Sequence, residues 1–120
     1  MSKSEKLDFY LGTAMWIGLS DGELAQAEKV MIHKRLKRIF SDLDNLEEEL
    51  NRYEKLFRED YQKSLSNLKE RMKDSIEANL HKTSLVDFAT KIIIDDQVIQ
   101  DQEEFTIGEI KKFFESLSIK

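Results

Sequence analysis

With 120 residues, 40% of them hydrophobic and 36% charged, the chain has the make-up of one domain built from amphipathic elements with heavily solvated outer faces. The absence of cysteine excludes disulfides, thiolate metal sites and thiol nucleophiles, and the absence of proline leaves no ring to break a helix. A formal charge of −5 speaks against nucleic acid as the main partner, because a phosphate backbone is bound by cations that displace its counterions. The same charge suits divalent cations or basic protein surfaces.

Ser2 and Glu5 have capping-box spacing, in which a hydroxyl and a carboxylate satisfy free N–H groups at a helix start. They predict a first helix from Lys3 to Leu19. Its apolar residues, from Leu7 through Trp16, Ile17 and Leu19, cover nearly the whole circumference and imply a central, buried helix. No uncharged apolar run approaches the roughly 18 residues of a membrane span, and the N-terminus lacks a signal-peptide pattern. A cytoplasmic protein without a membrane span is expected.

The stretch Ser20-Asp21-Gly22-Glu23-Leu24 forms an acidic turn, with Gly22 as its pivot. A second helix is predicted from Ala25 to Phe40, with Ala27, Val30, Met31, Ile32, Leu36, Ile39 and Phe40 facing inward. Its basic end, Lys34 to Arg38, complements the helix dipole and reads either as a solvated helix end or as a docking patch for an acidic partner.

Asp44 and Glu47 repeat the capping-box spacing and open a third helical segment. Leu46, Leu50, Tyr53 and Phe57 begin a seam that Tyr61, Leu65, Leu68, Met72, Ile76 and Leu80 extend. A single helix of about 37 residues would be about 55 Å long at 1.5 Å per residue, too long for one small globule. A break near Arg58-Glu59-Asp60, with Asp60 as the next cap, is therefore preferred over one long helix. The near-heptad seam also leaves open a projecting coiled-coil hairpin and, through it, a homodimer.

A fifth apolar segment runs from Leu85 to Ile94. Its three isoleucines have strand propensity, but no second strand exists to pair with them, so a helix is expected. Phe105, Ile107, Ile110, Phe113, Phe114 and Leu117 trace the stripe of a last helix.

Laid over the first two segments at an offset of 75 positions, the last two match without a gap: Ala14 meets Ala89, Ile17 meets Ile92, Asp21 meets Asp96, Glu28 meets Glu103, Val30 meets Phe105 and Ile32 meets Ile107. The expected architecture is thus an all-α, single-domain bundle of about six helices over residues 1–120. Two related helix-turn-helix units would be joined by a middle helical pair.

In Leu19-Ser20-Asp21-Gly22-Glu23-Leu24, with Glu28 beyond it, the chain resembles the tellurite-resistance TerB-like family. Ile94-Asp95-Asp96-Gln97-Val98-Ile99, with Glu103 after it, looks like that family's weaker second copy. Ala25 stands where the family usually has a serine or threonine cap, and Gln97 replaces the glycine of the second turn. The resemblance implies an all-helical stress-response module without catalytic activity. It also implies a divalent ion of Ca²⁺ or Mg²⁺ type held by Asp21, Glu23 and Glu28, and more weakly by Asp95, Asp96 and Glu103.

Hard oxygen ligands of this kind suit those ions. Glu28 and Glu103 also fall in the first turn of a helix, where a carboxylate caps free N–H groups and meets the dipole without any metal. On that reading the chain is a protein-interaction domain whose acidic turns are structural. His33 and His81 are single and lack cysteine support, so neither reads as a zinc ligand. Paired carboxylates could serve acid–base chemistry, but the chain has no phosphate-cradling glycine loop or nucleophile elbow, and an enzyme is not expected.

Overall fold

Helix α1, Lys3–Gly18, is apolar around almost its whole circumference, and the other helices are wrapped on it. The computed structural model describes residues 3–20, 24, 26–75, 80–95 and 101–116. Among them are five further helices and no strand: α2 Gln26–Ile39, α3 Leu46–Glu59, α4 Tyr61–Lys73, α5 Lys82–Asp95 and α6 Asp101–Ser116. Helix α1 packs against all five. That is the arrangement expected of a helix with no polar face to give to water.

Leu11, Ala14, Met15, Trp16 and Ile17 are fully enclosed. Close approach to α4 occurs at Gly12, where a Cβ would stand 2.5 Å from Leu68 Cδ1 and 3.2 Å from Leu68 Cγ. The carbonyls of Met15, Trp16 and Ile17 in the last turn of α1 are satisfied by donors beyond the helix end. Leu19 N–H donates to Met15 O at 3.0 Å, the Ser20 hydroxyl to Ile17 O at 2.8 Å, and the Tyr61 hydroxyl to Trp16 O at 2.6 Å. A helix end without such donors would leave buried oxygens unpaired.

The middle pair keeps to its seam. Leu46, Leu50, Tyr53 and Phe57 of α3 are buried, as are Leu65, Leu68 and Met72 of α4. The chain breaks at Asp60, whose extended backbone ends α3 and whose carboxylate accepts from Lys63 N–H at 3.1 Å to start α4. Because both helices lie on α1 within overall dimensions of 39 × 34 × 26 Å, the middle pair is core and no hairpin projects. Lys29 and Glu54, 2.6 Å apart, tie α2 to α3.

Several expectations need correction. The seam does not continue to Leu80, which is exposed, because α4 stops at Lys73 and the chain turns at Asp74 and Ser75. Ile76 lies outside the described residues. No Asp44–Glu47 capping box forms: Asn45 precedes α3 without a side-chain cap bond, and Asp44 is exposed. Ser2 also lies outside the described residues, and the Glu5 carboxylate accepts from the Ser75 hydroxyl.

The inward stripes of α2 and α6 are narrower than expected. In α2 the buried row is Glu28, Ile32 and Leu36, with Phe40 beyond the helix end, while Ala27, Val30 and Ile39 are exposed. In α6 the row is Thr106, Ile110 and Phe114, whereas Phe105 is exposed. Spacing by four keeps these rows on one side, and Val30 and Phe105 fall off it. The isoleucine-rich segment is helical, with Leu85, Phe88, Ala89 and Ile92 buried in α5.

Candidate functional site

Of the six carboxylates expected at the acidic turns, Glu28 is the one whose side chain the structure describes. Asp21, Glu23 and Asp96 lie outside the described residues, as do the side chains of Asp95, the last residue of α5, and Glu103, in the first turn of α6. Glu28 sits in the first turn of α2 and is 6% exposed. It lies near Gly18 at the end of α1: a Cβ there would stand 2.9 Å from Leu24 Cδ1, 3.6 Å from Glu28 Oε1 and 3.7 Å from Ile32 Cδ1. Leu24, Glu28 and Ile32 thus all approach the end of α1 at Gly18.

Such burial is costly for a charged group unless it is paired, and Glu28 is engaged in polar contact. The positive end of the α2 dipole favours its charge. Chemically this is a hard oxygen donor held in the first turn of α2, suited either to a divalent ion or to free N–H groups. Among the described residues no three His, Asp or Glu side chains come together, and His33 and His81 join no such group.

Echoed positions with described side chains agree in burial at three of four pairs. Ala14 and Ala89 are both enclosed, Ile17 and Ile92 likewise, and Val30 and Phe105 are both exposed. Ile32 is enclosed where Ile107 is half-buried.

Among the described residues, clefts open between helices at three places. One of about 680 Å³ lies along α1, α3 and α4 and contains Asp8, Tyr53 and Arg71. Asp8 and Arg71 pair at 3.6 Å. Burial, with a hydrogen bond to Asp8, pushes the Tyr53 hydroxyl up to about 12. A second cleft of about 560 Å³ runs between α5 and α6, lined by Val86 and Phe114 with Lys82 and Lys111 at its edge.

The third, of about 320 Å³, lies between α2 and α5 with Tyr10 of α1 in its wall. Arg35, Arg38 and Lys91 face it with Ser84 and Asp87. Burial raises the Tyr10 hydroxyl above the ordinary phenol range, a hydrogen bond with Ser84 opposes this, and the charge of Asp87 adds to it. The basic run of α2 is visible in the sequence, but its completion by Ser84 and Lys91 depends on how α2 meets α5. The available signal is weak: 84, 87 and 91 have one-face helical spacing, which solvated faces share.

No helix among the described residues is long and apolar enough to cross a membrane. No family model, no curated protein and no solved structure matches the chain.

Proposed function

We propose that the chain is a non-catalytic, TerB-like stress-response module that binds a divalent cation through its first acidic turn and couples the ion to a protein partner. The observation that supports this is the placement of Glu28, a carboxylate buried against the end of the central helix where an ion would join α1 to α2. Asp21 and Glu23 would add ligands from the turn, and Asp95, Asp96 and Glu103 would form the weaker second set. The matched burial of Ala14 with Ala89, Ile17 with Ile92 and Val30 with Phe105 supports the internal relationship that the two turns imply.

An ion that binds only the folded state raises stability by RT ln(1 + [L]/Kd), about 2.7 kcal/mol at a hundredfold excess over Kd. Melting the protein in chelator and then in millimolar Ca²⁺, Mg²⁺, Mn²⁺ or Zn²⁺ tests the reading. A rise of several degrees with at least one ion is expected, reduced in Asp21→Asn/Glu23→Gln; unchanged melting in all four means that the folded chain binds none of these cations.

One observation favours a second reading, a protein-interaction domain with merely structural acidic turns. Lys34, Lys37 and Arg38 are all exposed on α2, beside the basic cleft. On this reading a partner recovered by pull-down survives chelator and is lost on charge reversal at Lys34 and Arg38. A partner released by chelator returns the choice to the cation-linked module.

A further inference from the structure

We infer that the cleft between α2 and α5 is a binding site for a phosphate monoester, gripped by Arg35 and Arg38 from one side and Lys91 from the other. Helical spacing builds it: Arg35 and Arg38 are three apart on α2, and Ser84, Asp87 and Lys91 are three and four apart on α5, so each set shares one face. At about 320 Å³ the space suits a tetrahedral oxyanion with a small substituent. Tyr10 and Ser84 add hydroxyl groups to the wall.

The electrostatics select a dianion. Three cations face one carboxylate, an excess that a phosphate monoester matches and a single carboxylate does not. Guanidinium forks present paired N–H donors in the geometry that phosphate oxygens accept. Ile39 and Phe88 supply apolar wall, which strengthens attraction by excluding water.

Asp87 opposes the anion, and Lys91 is engaged with it at 2.9 Å. Both side chains are at least half exposed, so their pair is of the weak, solvent-screened kind that an incoming dianion can replace. Arg35 also has existing interactions, which leaves Arg38 and Lys91 as the more adaptable contacts. This site is independent of the cation reading, since Glu28 is not among the residues lining the cleft.

The test is a ¹H–¹⁵N NMR titration of the full chain with glycerol phosphate at fixed ionic strength, with acetate as control. Saturable shifts are expected around Tyr10, Arg38, Ser84 and Lys91. Binding should weaken by about tenfold in Arg38→Ala, which removes one charged contact, and tighten by about threefold in Asp87→Asn, which removes the competing carboxylate. Both positions are exposed, and the remainder of each variant's spectrum reports an intact fold.

Tightening in Asp87→Asn is what separates a ligand site from a structural charge network, in which loss of Asp87 brings no gain. Non-saturating shifts shared with acetate, or binding indifferent to Arg38 and weakened by loss of Asp87, would overturn the site. A capped Gly-phosphoserine-Gly peptide run alongside distinguishes the source. Tighter binding than glycerol phosphate indicates a phosphorylated polypeptide, and equal or weaker binding indicates a free small molecule; either result retains the site.

Discussion

The chain's three tyrosines share a direction: Tyr10, Tyr53 and Tyr61 are all raised above the ordinary phenol range, in each case chiefly by burial. Tyr61 also donates its proton to the end of α1 and feels the charge of Glu109. A hydroxyl that stays protonated longer in the folded state than in the unfolded one makes stability fall as pH rises, because the unfolded chain loses its proton first. For Tyr53 the window runs from about 10, the unfolded value, to about 12. Titration by tyrosinate absorbance should show little ionisation near pH 10, then a steep rise accompanied by loss of helix. Three independent phenols titrating near pH 10 with helix intact contradicts this. Thr13 gives a second expectation at this scale, since its hydroxyl is buried with no hydrogen-bond partner among the described residues. Replacing an unpaired buried hydroxyl by a methyl of similar shape removes a desolvation cost. Thr13→Val should raise stability by about 1 kcal/mol in urea unfolding, and a loss of that size would mean that the hydroxyl has a partner.

Between elements, α1 meets α4 at Gly12, where Leu68 fills the space a Cβ would take. Leu68 is fully enclosed, so a methyl at position 12 must move a side chain with nowhere to go. Gly12→Ala should cost about 1–3 kcal/mol from overpacking, against at most about 1 kcal/mol regained in helix propensity. Adding Leu68→Ala should recover part of that loss, so the double variant will be more stable than the sum of the singles; strict additivity would deny the contact. The α3–α4 break is legible in the sequence because Asp60 offers a cap where a helix of about 55 Å can be divided without disturbing the seam. The inward faces of α2 and α6 are less so. Val30 and Phe105 are as apolar as their buried neighbours, and composition cannot say how wide a face the central helix will cover. Position 106 escapes the apolar pattern for the converse reason, a threonine that reads as surface and turns into the core.

Across the whole molecule, one helix serves as a hub, and Glu28 of α2 is seated against its C-terminal end. Glu28 can be read from its place after the Asp-Gly-Glu turn, and the structure gives it a buried seat against Gly18. The α2–α5 cleft cannot be read in the same way. Its cations come from segments about fifty positions apart, and the packing of α2 against α5 brings them together. The two sites have opposite chemistry, a buried carboxylate in the first turn of α2 and the half-buried Arg35 and exposed Arg38 towards its other end. Binding a cation at the first would therefore fix α2 to α1 without competing for the second. Calorimetric titration of the wild-type chain and of Glu28→Gln with Ca²⁺ and Mg²⁺ shows whether Glu28 holds an ion. Saturable binding by the wild type that weakens at least about tenfold in Glu28→Gln, with helix content retained, is predicted; no binding by the wild type, or equal binding by a folded Glu28→Gln, would contradict it.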